Sequence, residues 1–173
     1  MTRIHPDFLE DAQQRFGELH NVREVMTKRE SGAISLGRLY AYVQGAQDDA
    51  VQDILGRDLK VRRVYRSLLQ KSALVHMPQA LAASTQDYPE RHADGCHIRL
   101  QASRAQSDQL YLIVEMSDQR RDMPQSLHLF GPDETMVRVA LPAARNGVIQ
   151  TIIEKNSDAA RLLGEPKTEI FLR

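Results

Sequence analysis

Cys96 is the single cysteine among 173 residues, and His97 follows it directly. A thiolate beside an imidazole base is a nucleophile pair, but consecutive side chains in a strand point to opposite faces, so these two do not build that contact. The Gly-x-Ser-x-Gly elbow of many hydrolases is also absent from the chain. Cys96 therefore reads as a half-buried residue at the start of a strand. A lone cysteine forms no internal disulfide and no multi-cysteine metal cage, a usage that fits a reducing compartment.

Metal chemistry is the second class to weigh. His92, Cys96 and His97 lie close together, and Asp94 or His128 could complete a four-ligand set. The spacing lacks the two paired ligand sets of structural zinc sites, so the histidines read as solvated, and no metal and no cofactor are expected. His5, His20 and His76 have no cysteine or carboxylate at ligand intervals. Phosphate-binding signatures of the Gly-x-x-x-x-Gly-Lys and Gly-x-Gly-x-x-Gly types are missing. The acidic pairs Asp48-Asp49 and Asp133-Glu134 fall at a helix start and in a turn, where acids are favoured for local reasons.

The one local charge feature is a basic stripe: Arg57, Lys60, Arg62, Arg63, Arg66 and Lys71, interleaved with apolar residues at helical spacing. It reads either as a solvated helix face or as a surface for an acidic protein groove. Direct nucleic-acid binding is the weaker alternative, since 23 basic and 23 acidic residues leave no net field and the stripe carries no aromatic platform.

The elements that position these residues change character along the chain. Apolar residues recur at helical spacing from Pro6 to about Met26, again through Leu36, Leu39, Tyr40 and Val43, then Ala46 to Leu55, and finally Leu59 to Val75. Residues 83–94 are polar and read as a linker. Beyond them the period becomes two, with six strand candidates at 97–102, 110–116, 127–130, 136–141, 148–153 and 170–172, and one short helix between Ser157 and Gly164. The expected fold is α+β: a four-helix bundle-like domain over 1–82, the linker, and an antiparallel β-sandwich-like domain of about six strands over 95–173. Apolar runs of about five residues fall far short of the roughly 20 that span a bilayer, and the start lacks a signal-peptide core, so a cytoplasmic location is expected.

The runs Leu39-Tyr40-Ala41-Tyr42-Val43-Gln44-Gly45, Asp48 to Leu55, and Asp58 to Leu68 together resemble the N-terminal domain of bacterial anti-sigma factors. In the zinc-binding branch of that family the last two elements carry His-x-x-x-Cys-x-x-Cys. Here those positions hold Ile54, Asp58 and Val61, so the resemblance is to a zinc-less member. It covers residues 34 to 75. It implies a non-enzymatic regulator that clamps and inhibits a sigma factor, with Leu39, Tyr42, Arg62, Arg63 and Arg66 meeting the partner. Spacings of three, four and seven put Val61, Val64, Leu68 and Val75 on the core side of the last helix. The alternative is a two-domain adaptor for another cytosolic protein, such as an enzyme encoded with it. Neither reading involves a membrane.

Overall fold

The computed structural model describes residues 34–78, 88–93, 95–117 and 122–173. The chain divides into two compact units, Met1–Lys71 and Ser72–Arg173.

Three helices are described in the first unit: α1 (Leu36–Val43), α2 (Asp49–Arg57) and α3 (Leu59–Ser72). Each start has a local cause. The Ser35 hydroxyl accepts from the Arg38 amide, and the Asp48 carboxylate accepts from the Val51 amide, which satisfies donors that a first turn leaves open. Asp48 also receives Arg38 Nε and Nη2 at 2.9 and 2.7 Å, so one carboxylate caps α2 and ties it to α1. That hydrogen bond to Arg38 holds the Asp48 carboxyl below its usual range. Leu39, Val43, Val51, Leu55, Tyr65 and Leu69 are buried, and the Tyr42 and Tyr65 rings lie 5.8 Å apart at 54°.

Eight strands are described in the second unit: β1 (Val75–Met77), β2 (Arg91–Ala93), β3 (Cys96–Ala102), β4 (Gln109–Met116), β5 (Ser126–Phe130), β6 (Met136–Ala140), β7 (Val148–Glu154) and β8 (Glu169–Leu172). A short helix, α4 (Asp158–Gly164), sits between β7 and β8. All pairings are antiparallel, in two four-stranded sheets ordered β1-β8-β5-β6 and β2-β3-β4-β7. Inward residues of both sheets, among them Leu100, Leu112, Leu129 and Ile149, join Leu162 of α4 in a single apolar cluster.

This architecture corrects the expected one. The four described helices are not an N-terminal four-helix bundle, because the fourth, α4, lies in the β-rich unit. The helix expected over Pro6 to Met26 falls outside the described residues. In place of the six-strand sandwich, the described residues form eight strands in two separate four-stranded sheets. β3 to β8 fall on the six strand-like runs, whereas β1 and β2 come from stretches read as helix end and linker. Val75, expected on the core side of the last helix, instead stands opposite Leu172 in β1. A three-residue edge strand needs only one or two inward side chains, here Val75 and Met77 of β1 and Ala93 of β2, too few to leave an alternating signature. No helix among the described residues is long and apolar enough to cross a membrane.

Candidate functional site

The β2–β3 hairpin gathers the titratable cluster. Its turn contains Gly95 at φ 74°, and its register pairs Arg91 with Ile98, His92 with His97 and Ala93 with Cys96. Because side chains alternate, Arg91, Ala93, Cys96 and Ile98 take one face, while His92 and His97 take the other. The two imidazoles stack at 4.2 Å between centroids and 8° between planes. Glu90, two residues before His92, brings its Oε2 to 2.9 Å from His97 Nε2 and 3.7 Å from His92 Nε2.

The central strands hold the other side of His97. Glu115 of β4 is its cross-strand partner, with Oε2 3.3 Å from His97 Nδ1, and Arg99 Nη2 donates to Glu115 Oε1 at 2.9 Å. The bond from Arg99, followed by that from His97, keeps the Glu115 carboxyl below its usual range. The result is a continuous array on the outer face of the sheet, from Arg99 through Glu115 and His97 to Glu90 and His92. One potential ligand atom from each of Glu90, His92 and His97 lies within 4.8 Å of the other two.

The donor set differs from the one imagined from sequence. Cys96 is buried on the opposite face, and burial pushes its thiol up to about 11, which disfavours the thiolate needed as nucleophile or ligand. His128 belongs to β5 in the other sheet, and Asp94 lies outside the described residues. Glu90 was missed. Its signal was the Glu-x-His spacing, which puts both side chains on one face once the segment is extended.

A second pair that sequence reading passed over is Ser126 and His128, whose i, i+2 spacing on β5 puts them on one face. Ser126 Oγ lies 2.9 Å from His128 Nε2 and 3.2 Å from the Arg173 carbonyl. Both residues are buried, and burial, reinforced by the charge of Arg138, drives the His128 pKa down to about 3. A hydroxyl enclosed in this way has no approach path for a substrate.

In the helical unit, the five side chains expected to meet a partner separate. Leu39 and Tyr42 are interior. Arg62, expected on the outer face, turns inward: its Nε donates to the Leu55 carbonyl at 2.9 Å and its Nη2 to the Gly56 carbonyl at 3.0 Å. These carbonyls end α2 and have no helical partners, so a guanidinium reaching back from α3 serves as their cap. Arg63 is exposed and Arg66 is partly exposed. At the positions where zinc ligands stand in the resembled family, Asp58 Oδ1 accepts from the Lys60 and Val61 amides at 2.8 and 3.2 Å and caps α3, while Val61 is buried.

Comparisons with protein-family models, with curated proteins and with solved structures find no match to this chain.

Proposed function

We propose that the chain is a non-enzymatic, cytoplasmic regulator that captures a protein partner, with a sigma factor as that partner, through its helical unit. The observation that supports this reading is the local build of α1 to α3. The three runs that carry the resemblance form three consecutive short helices, and Asp58 supplies a cap where the zinc-binding branch of that family has a ligand. In the β-rich unit neither Cys96, held as a thiol, nor the enclosed Ser126 hydroxyl is placed as a nucleophile. With Leu39, Tyr42 and Arg62 turned inward, the contact surface reduces to exposed groups, of which Tyr40 and Arg63 are the bulkiest apolar and basic examples on α1 and α3.

The test is capture of purified sigma factors by the tagged full-length chain. Saturable binding of one of them, weakened at least tenfold by Arg63→Glu, is the expected result. Failure to capture any sigma factor encoded in the same genome overturns the sigma-factor reading.

A further inference from the structure

We propose that Glu90, His92 and His97 form a binding site for a divalent first-row transition metal, Zn2+ in the first instance. The site is on the outer face of the β2-β3-β4-β7 sheet and is independent of the function proposed for the helical unit.

Four observations lead to it. The donor set is two imidazole nitrogens and one carboxylate oxygen, the borderline combination that suits zinc, nickel or copper and not the oxygen-only preference of calcium or magnesium. The spacing is near what an ion needs: a tetrahedral ion with Zn–N of about 2.0–2.1 Å holds its ligand atoms roughly 3.3 Å apart. The three candidate atoms lie within 4.8 Å of one another, and the exposed His92 ring turns out of its stack on His97 to aim its in-plane lone pair at the ion. Glu90 Oε2 already stands 2.9 Å from His97 Nε2 and 3.7 Å from His92 Nε2.

The third observation concerns orientation. A ligating histidine ordinarily donates its second ring N–H to a carboxylate, which fixes the tautomer and makes the first nitrogen a better donor. His97 has that arrangement: Nδ1 faces Glu115, Glu115 is anchored by Arg99, and Nε2 is aimed at Glu90. The fourth is access. The His92 and Glu90 side chains are 65% and 47% exposed, leaving room for solvent to complete the coordination shell. Three protein ligands with water in the remaining position is the pattern of an open zinc site.

An exposed ion-pair cluster with stacked rings is the competing account, and zinc affinity separates the two. Metal-stripped full-length protein is titrated with ZnCl2 in competition with a chromophoric chelator. The expected result is one equivalent of zinc per chain at micromolar affinity or tighter. His92→Ala and His97→Ala each weaken binding at least tenfold. Glu115→Gln, a change at a positioning residue, keeps the stoichiometry and weakens affinity by about 10- to 100-fold. His76→Gln, on the other sheet, leaves affinity unchanged. Cobalt substitution adds a spectroscopic signature: intense d–d absorption from a low-coordinate ion, lost in His92→Ala. Binding weaker than micromolar, or affinity undiminished in the His92→Ala/His97→Ala double variant, overturns the proposal. If His97→Ala fails to fold, the exposed His92→Ala variant decides alone, and equal affinity to wild type there also overturns it.

Discussion

The guanidinium of Arg62 donates to the carbonyl of Leu55, seven residues earlier, so a side chain one turn into α3 closes the end of α2. The bond is charge-assisted and 8% residual exposure leaves little water to replace it. Removing the side chain strands the carbonyl of buried Leu55 and leaves that of exposed Gly56 to water. Arg62→Ala is therefore expected to lower unfolding stability by about 1.5–3 kcal/mol, whereas exposed Arg63→Ala stays within about 0.5 kcal/mol. Urea denaturation followed by far-ultraviolet circular dichroism checks both. Equal midpoints for the two variants would show that the reach to Leu55 contributes nothing.

That contrast also marks how far the sequence could be read. Helical periodicity located α1 to α3, period-two alternation located β3, whose Ile98 and Leu100 face the apolar cluster, and a nearly continuous β-forming run located β4. Periodicity assigns a face by the angle of the Cα–Cβ bond. It does not follow a long side chain that folds back, which is why Arg62 looked solvent-facing. The edge strands were hidden for a related reason. β2 places an arginine inward, so composition marks it as linker. With β2 unseen, His92 and His97 were neighbours in number only, and Glu90 was not associated with them at all. Register, which no local pattern encoded, made the cluster.

The turn that opens β7 was legible in Asn146-Gly147. Both residues have positive φ, 51° and 78°, and Arg145 and Val148 exchange backbone hydrogen bonds at 2.8 and 3.0 Å. This is the two-residue turn whose twist matches the flanking strands. The Gly147 carbonyl also accepts from the Met116 amide at 2.8 Å, which continues the β4–β7 ladder. Gly147→Val forces a branched side chain into the left-handed region and is expected to destabilise by at least about 1–2 kcal/mol. Asn146→Gly is expected to change stability by less than about 1 kcal/mol. Thermal melts of the two variants provide the comparison, and the prediction fails if Gly147→Val melts with the wild type.

Arg91 is 5% exposed although it comes from the most polar part of the chain. Its guanidinium donates to the Pro166 carbonyl at 2.9 Å and to the Thr168 carbonyl, on the segment that leaves α4 for β8. The planar fork spans both carbonyls, which a single ammonium at the end of a lysine does not. Arg91→Lys is expected to cost about 2–4 kcal/mol, and amide hydrogen exchange should accelerate at Thr168 and Glu169 before it does in β4. Uniform acceleration across the β-rich unit would show that Arg91 has no local role in holding this segment.

His128 sets the acid side of the stability profile. Burial and the positive charge of Arg138 keep its imidazole neutral in the folded chain, with a pKa of about 3, against 6.5 for an unperturbed histidine. Between these two values the unfolded chain binds a proton that the folded chain does not, so stability rises with pH across that window and falls as the medium is acidified. The loss begins near pH 6.5 and continues to about pH 3. From pH 7 to pH 5 this one group removes on the order of 2 kcal/mol of stability. The carboxylates held low by partners, Asp48, Glu115 and Asp133, act in the same direction, but their loss begins only near the ordinary carboxylate values of 3.8 to 4.5. Denaturant unfolding at pH 7, 6 and 5 therefore avoids the carboxylate range, and comparison with a variant lacking this imidazole separates His128 from the other histidines. His128→Asn carries no titrating group at that position, and it should lose less stability than the wild type over the same interval even if its absolute stability is lower. Identical pH dependence in the two proteins would show that His128 takes up its proton equally in the folded and unfolded chains.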